Sequence, residues 1–76
     1  MLAVDHKIVL CALFSAGRCS PFILEEIAAT ASLTFEQAWY AVLDLIELRF
    51  MTPAGIGLYR LTVEGKETAR QLSASG

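Results

Sequence analysis

Near its C-terminus the chain reads Tyr59-Arg60-Leu61-Thr62-Val63-Glu64-Gly65-Lys66-Glu67, and this stretch decides the fold. Its first half, with Leu58 before it, predicts a β-strand that ends at Thr62. Threonine is a favoured N-cap residue because its hydroxyl accepts a backbone N–H, so a helix is predicted from Val63 to about Leu72. The stretch therefore combines a strand, a threonine helix cap and a glycine at fixed sequence spacing.

A second strand and a turn precede this stretch. Phe50-Met51-Thr52 is interpreted as the partner strand, and Pro53-Ala54-Gly55-Ile56-Gly57 as the turn between the two strands. Glycine adopts positive φ without steric cost, which suits Gly55 and Gly57 to a tight connection. The chain from Phe50 to Thr62 is therefore predicted to form a β-hairpin.

Before the hairpin, a helix is predicted from about Phe35 to Arg49. Thr34 is its expected N-cap, and Glu36 lies in the first turn, where the helix dipole favours a carboxylate. Apolar residues recur at three- and four-residue spacing, which predicts one core-facing side: Ala38, Ala41, Val42 and Leu45. The same spacing turns the opposite side outward: Glu36, Tyr40, Leu43 and Glu47.

Two further helices are predicted upstream. The first runs from a cap at Asp5 to a left-handed end at Gly17, and residues 8–14 make it apolar on every side. The second is expected to begin at Ser20-Pro21, as a cap followed by proline at the first helical position, and to end near Ala31. The predicted order is helix, short link, helix, turn, helix, hairpin, helix.

From Leu24 to Leu72 the chain resembles a winged helix-turn-helix domain of the MarR- and PadR-type bacterial transcriptional regulators. Leu24-Glu25-Glu26-Ile27-Ala28 is similar to the opening of that family's second helix, and residues 59–67 are similar to its return strand and final helix. The resemblance implies a mainly α fold, with a three-helix core, a two- or three-stranded wing and a C-terminal helix. Residues 1–76 are expected to form one such domain, with residues 73–76 as a disordered tail.

The resemblance implies a DNA-binding transcriptional regulator, carried by a bacterium or a phage. It makes the helix from Phe35 the recognition helix, whose N-terminal half enters the major groove, and it places Gln37 and Tyr40 where family members touch DNA. Glutamine can pair bidentately with adenine, while hydroxyl and guanidinium groups bind phosphates. The predicted DNA-contacting residues are Thr34, Phe35, Glu36, Gln37, Trp39, Tyr40, Arg49 and Arg60.

Charge and aromatic content favour a second interpretation of the same helix. The net charge is -2 and the pI about 5.2, whereas most isolated DNA-binding domains are basic. The helix carries Glu36, Asp44 and Glu47, beside aromatic residues of the kind enriched at protein interfaces. A protein-protein interaction module or adaptor is therefore the alternative function. One stripe fits either interior packing or a partner seam: Trp39, Leu43 and Ile46.

Composition also predicts that the chain associates with itself. Its hydrophobic fraction is 55%, which is high for a chain whose small size leaves much surface and little interior. A first helix that is apolar all round needs more cover than one copy provides. A homodimer is therefore expected, with contacts from a set of apolar residues: Val9, Leu10, Leu13, Phe14, Leu43 and Ile46.

Residues that carry catalytic or metal chemistry are sparse. The single histidine, His6, is expected to be solvated, and with Cys11 and Cys19 it provides too few ligands for a structural zinc site. No serine has a histidine base in plausible reach, and Gly55 and Gly57 lack the context of a phosphate loop. The sequence therefore predicts no enzyme, no metal and no cofactor, and a fold this small is expected to leave little room for a ligand pocket.

Cysteine usage and apolar runs bear on the compartment. The two cysteines are too few for a disulfide scaffold, which indicates a reducing cytoplasm. The apolar run of residues 8–14 is short and Asp5 and His6 precede it, so it is expected to be a helix of the domain and not a cleaved leader. No segment is long enough to predict a membrane span.

Overall fold

The architecture is four helices and a small sheet, seen in a computed structural model that describes residues 2–75. The helices are α1 (Val4–Ala16), α2 (Leu24–Ala31), α3 (Phe35–Glu47) and α4 (Val63–Ser75). The strands are β1 (Phe22–Ile23), β2 (Met51–Pro53) and β3 (Leu58–Leu61). With α2 and α3 joined by a tight turn and β2 and β3 forming a hairpin, the chain has the predicted winged helix-turn-helix fold.

The sheet is antiparallel, and β3 is its central strand. Phe22 of β1 pairs with Tyr59, and Thr52 of β2 pairs with Arg60, so the sheet has the larger of the two predicted strand numbers. Pro53 is accommodated because β2 lies at the sheet edge, where a missing N–H leaves no ladder bond unmade. The turn has positive φ at Gly55 (133°) and Gly57 (71°), as the sequence predicts.

The core forms where α1 packs against the other three helices. The predicted inward face of α3 is confirmed, since all four of its residues are buried. They meet side chains from every other helix and from the wing strands: Val9, Leu10, Leu13, Ile27, Met51, Leu61 and Ala69. Because this core covers one side of α3 alone, the helix lies at the surface with its other side free.

Thr62 joins the end of α3 to the start of α4. Its hydroxyl donates to the Arg49 carbonyl oxygen (2.7 Å) and accepts the Gly65 N–H (3.0 Å), while its own N–H donates to the Phe50 carbonyl oxygen (3.0 Å). A β-carbon at Gly65 would overlap that same Phe50 carbonyl group. The predicted threonine cap is confirmed, and the glycine is required by the close approach of α4 to the α3–β2 connection.

Two predicted helix starts are wrong. α1 begins at Val4, one residue before the expected cap, and the imidazole Nδ1 of His6 accepts the free Ala3 N–H (3.0 Å) in place of an aspartate cap. α2 begins at Leu24 and not at Ser20-Pro21, because residues 22 and 23 are drawn into the sheet. Glu26 then accepts the Ile23 N–H (3.2 Å) and closes the first turn of α2.

Two helix ends also differ from expectation. α3 ends at Glu47, with Leu48 as its C-cap and Arg49 already left-handed, so it is shorter than predicted. α4 continues to Ser75, so residues 73–75 are helical where the sequence predicts a disordered tail, and Gly76 lies outside the described residues. Among residues 2–75, no helix combines the length and apolar character that crossing a bilayer requires.

Candidate nucleic-acid interface

A reciprocal cap fixes the first turn of α3. The Thr34 hydroxyl accepts the Gln37 N–H (3.1 Å), and the side-chain oxygen of Gln37 accepts the Thr34 N–H (3.0 Å). This is the capping-box arrangement, with glutamine at the third helical position. The amide oxygen of Gln37, which bidentate pairing with adenine would also use, is engaged in this cap.

The outer face of α3 is open to solvent. Glu36, Tyr40, Leu43 and Glu47 are all exposed, so the predicted orientation of the helix is confirmed. Tyr40 is 64% exposed and Phe35 54%, so both aromatic rings lie mostly in solvent. These side chains form the outer α3 face, defined as Phe35, Glu36, Trp39, Tyr40, Leu43 and Glu47.

The apolar stripe along one edge of α3 is only partly covered. Trp39 is 37% and Leu43 41% exposed, whereas Ile46 is half-buried and packs against the core. Of the two interpretations left open by the sequence, interior packing therefore applies to Ile46 alone. Trp39 and Leu43 give the outer α3 face an apolar surface that one copy of the chain leaves uncovered.

Asp44, on the flank of α3, has a partner on α1. Its Oδ2 lies 3.0 Å from Nε2 of His6, whose side chain is only 13% exposed. Because Nδ1 of the same ring accepts the Ala3 N–H, the ring proton lies on Nε2 and is donated to the carboxylate. The prediction that His6 is solvated is therefore wrong. Its hydrogen bond to Asp44 connects the start of α1 to α3.

Arg49 follows Leu48, the C-cap of α3, and lies in the left-handed region with φ 68°. It lines a shallow depression with residues of β2 and the start of α4, including two carboxylates, Glu47 and Glu64. No ion pair joins Arg49 to either carboxylate in the described part of the chain. Its guanidinium is therefore available to an external anion at the C-terminal end of α3.

The guanidinium of Arg18 is fully engaged in contacts within the chain. Its guanidinium donates to both oxygens of Glu26 (2.7 and 2.9 Å), to the Ser20 hydroxyl (3.0 Å) and to the Pro21 carbonyl (2.6 Å), and it lies 4.1 Å from the centre of the Phe22 ring. The Arg18 guanidinium, helped by the Ile23 N–H, lowers the pKa of Glu26 to about 2. Ser20 and Arg18 thus brace the link before β1.

Arg60 is separated from the outer α3 face. It lies on the central strand and lines a cavity of about 230 Å³ with Arg18 and Lys66. The remaining lining residues come from the end of α1, the link after it and the sheet, and none belongs to α3: Leu13, Phe14, Gly17, Cys19, Ser20, Phe22 and Leu61. The cavity is cationic and partly apolar, and its volume is below the range of typical ligand pockets.

Half of the predicted dimer contacts lie inside one copy of the chain. Val9, Leu10 and Leu13 are at most 2% exposed, because they pack against the other helices and have no surface left for a second copy. Phe14 and Ile46 are half-buried, and Leu43 is exposed. α1 is thus apolar on every side in sequence yet covered mainly on one side, with Val4 and Ile8 left exposed.

Sequence reasoning missed the two polar links, His6 to Asp44 and Arg18 to Glu26. Their partners are 38 and 8 residues apart and belong to different elements, so no local spacing announces them. Sequence reasoning also missed the left-handed residues Ser32 and Arg49, although a polar residue directly after a helical repeat is a usable sign of such an end.

Comparisons with known proteins identify the fold. No protein-family model and no curated protein matches the chain. Among solved structures, a MarR family transcriptional regulator, SPO1453 from Silicibacter pomeroyi DSS-3, superposes with a TM-score of 0.81 at 22% identity. The match covers 97% of this chain and 53% of that one, so the chain spans about half of that regulator.

Two further solved structures share the fold. A protein from Ralstonia eutropha JMP134, described as a candidate DNA-binding protein, has a TM-score of 0.74 at 25% identity, covering 95% of this chain and 98% of that one. The T. acidophilum protein IdeR has a TM-score of 0.74 at 17% identity over 93% of this chain and 33% of its own. Identities in this range establish a common winged-helix fold.

Proposed function

We propose that this chain is a DNA-binding module of a transcriptional regulator, with α3 as the helix that enters the major groove. The observation that carries the proposal is the exposed outer α3 face, held on a capped helix beside a hairpin wing. The solved structures that share this arrangement include a MarR family transcriptional regulator and a candidate DNA-binding protein. Their descriptions support a binding role for this chain and not a catalytic one.

The side chains of the outer α3 face suit a particular kind of base contact. Phe35 and Leu43 offer apolar contact to thymine methyl groups, and the Glu36 carboxylate suits the amino group of cytosine. The Tyr40 hydroxyl suits a phosphate oxygen, as does the Thr34 hydroxyl if its cap loosens. Such a surface reads bases through few, mostly apolar contacts, because Gln37 is engaged in the cap of its own helix.

Electrostatics set the expected strength of binding. Arg18 is paired with Glu26, Arg60 and Lys66 face a cavity away from α3, and Arg49 is the cation nearest to the helix end. Each phosphate contact contributes about 0.9 to the slope of log K against log salt. A single copy is therefore expected to bind DNA weakly, with a shallow salt dependence.

A homodimer on two half-sites would offset this weakness, because the second copy binds at a high effective concentration. The surface left for self-association is not the interior of α1 but its exposed side, at Val4 and Ile8, with Leu43 of α3 as a second candidate. Sedimentation with and without DNA tests this arrangement. A single chain at all protein concentrations, both free and on DNA, would contradict it.

Fluorescence anisotropy with labelled genomic DNA fragments at low salt tests the DNA proposal. Wild-type protein is expected to bind, and both Tyr40→Ala and Phe35→Ala are expected to weaken binding by roughly tenfold each, as lost contacts of 1–2 kcal/mol imply. Arg70→Gln is the matched control, because Arg70 pairs with Glu67 on α4. Absence of wild-type binding, or equal losses in the control, would contradict the proposal.

A protein-binding module is the second candidate function, favoured by one feature of the same surface. Trp39, Tyr40 and Leu43 are exposed beside Glu36 and Glu47, and this aromatic, acidic surface suits a basic protein segment better than a polyanion. Trp39→Ala would then abolish capture of a partner that wild-type protein retains in the absence of DNA. Undiminished capture by that variant would remove this surface as the site.

A further inference from the structure

Within the described residues, α1, α2 and α3 are each followed by a left-handed residue. α1 ends on Gly17 (φ 64°), whose N–H donates to the Phe14 carbonyl. α2 ends on Ser32 (φ 56°), and α3 is followed by Arg49 (φ 68°). Glycine therefore occupies the end of α1, whereas the two ends that bracket α3 carry side chains.

The backbone at these two ends is the same hydrogen-bonded motif. After α2, the Ser32 and Leu33 N–H groups donate to carbonyls of the last turn (3.3 and 2.9 Å). After α3, the Arg49 and Phe50 N–H groups do the same (3.0 and 2.8 Å). Glycine is the favoured residue at the left-handed position of this motif, because a β-carbon there crowds the backbone.

Neither side chain is explained by the fold. Both residues are exposed, and neither side chain has a hydrogen bond or an ion pair within residues 2–75. A non-glycine residue held in this region costs stability, and such strain clusters where a side chain serves a function. The Arg49 carbonyl is bound by Thr62, but a glycine would supply the same carbonyl.

We propose that Ser32 and Arg49 are phosphate contacts at the two ends of α3, present in place of glycine for their side chains. The proposal rests on the DNA-binding function proposed above. The 13 residues of α3 extend for about 20 Å, which is enough for the two ends to reach both backbones bordering a groove about 12 Å wide. A serine hydroxyl and an arginine fork are both suited to phosphate oxygens.

The test is a set of variants that are expected to be more stable than wild-type protein but to bind DNA more weakly. Ser32→Gly and Arg49→Gly are each expected to raise Tm by about 5 °C, because glycine relieves the left-handed strain. Arg49→Gly is expected to weaken binding to a labelled random-sequence duplex of about 20 base pairs by roughly tenfold. It is also expected to lower the salt slope by about 0.9.

Two controls separate charge from backbone conformation. Arg49→Lys keeps the charge and the strain, so it should retain both Tm and salt slope. Asparagine tolerates the left-handed region but carries no charge, so Arg49→Asn should raise Tm and lower the salt slope by about 0.9, as Arg49→Gly does. Ser32→Gly, which removes no charge, should weaken binding several-fold at an unchanged slope.

The outcomes distinguish the inference from the function on which it rests. Wild-type protein that shows no salt-sensitive binding to the duplex would overturn the proposed function and this inference with it. Wild-type binding that both glycine variants retain would overturn the inference alone. A fall in Tm for Arg49→Gly would also overturn it, because the left-handed position would then not be strained.

Discussion

The Thr62 junction and the outer α3 face lie at opposite extremes of constraint. At the junction, one threonine makes three hydrogen bonds, and the Gly65 backbone lies against the Phe50 carbonyl with no room for a side chain. On the outer face, Phe35 and Tyr40 are more than half exposed and contribute little to the core. The first region holds two helices and the wing together, while the second is free to contact another molecule.

The contrast indicates which substitutions should change stability and which should change binding. Half-buried polar groups that make several hydrogen bonds at once, as Thr62 does, are costly to disturb, because each lost partner leaves a donor or acceptor unpaired. Exposed side chains without such partners usually change stability by less than about 0.5 kcal/mol. Substitutions at the junction should therefore alter folding, and substitutions on the outer face should alter binding.

The sharpest test of the junction is Gly65→Ala. Helix propensity alone predicts that alanine stabilises α4 by about 1 kcal/mol. Overlap with the Phe50 carbonyl predicts the opposite sign, a loss of about 3 kcal/mol, and chemical denaturation measures the difference.

Gly57→Ala is the matched control for that substitution. Gly57 has positive φ but open space around its α-carbon, so the variant should lose only about 1 kcal/mol from backbone strain. Equal losses at the two glycines, or a gain at Gly65, would mean that the close approach of α4 does not constrain the fold.

Thr62→Val is expected to have the next largest effect. It keeps the shape of the side chain but leaves the Arg49 carbonyl and the Gly65 N–H without their partner, which should cost about 2 kcal/mol in the free energy of unfolding. Thermal unfolding followed by circular dichroism measures it. Thr62→Ser should retain most of the stability, and equal losses in both variants would show that the hydroxyl is not the stabilising group.

The Arg18–Glu26 pair should produce a smaller, pH-dependent effect. The pKa of Glu26 is about 2 in the folded chain and about 4.5 as its ordinary value, so its contribution is complete above about pH 4.5 and is lost as the pH falls toward 2. Glu26→Gln should remove this part of the acid sensitivity while leaving the neutral-pH fold intact. Urea titrations across this range measure it, and an unchanged pH profile in the variant would contradict the pairing.

The smallest effect on stability is expected on the outer α3 face. Tyr40→Ala and Phe35→Ala should change the free energy of unfolding by less than about 0.5 kcal/mol, because both side chains are mostly exposed. Chemical denaturation and the DNA-binding assay, carried out on the same variants, separate an effect on stability from an effect on affinity. A loss above about 2 kcal/mol would erase the distinction between the two regions.

Much of the fold could be predicted because its decisive features are local. The repeat of Ala38, Ala41, Val42 and Leu45, the Thr34 and Thr62 caps, and the glycines of the turn each act within a few residues. Sequence reasoning failed where distant partners intervene. Residues 22 and 23 leave the second helix because β3 binds them.

The candidate site was less predictable than the fold for the same reason. The helical repeat showed which side of α3 points outward, and the spacing of Thr34 and Gln37 is itself a local capping-box signal from which the engagement of Gln37 could have been predicted. The apolar run of α1 suggested a dimer surface, although Val9 and Leu10 are completely buried within one copy. Counting apolar residues cannot separate a core shared within a chain from one shared between chains.

The most direct test of a DNA-facing α3 is an NMR titration of ¹⁵N-labelled protein with a DNA duplex of about 20 base pairs at low salt. The predicted result is that amide shifts concentrate in residues 32–43, at Arg49 and in the wing, with α4 unaffected beyond its first turn. Shifts confined to α1 and α4, or none at any DNA concentration, would contradict the assignment of α3 as the helix that meets DNA.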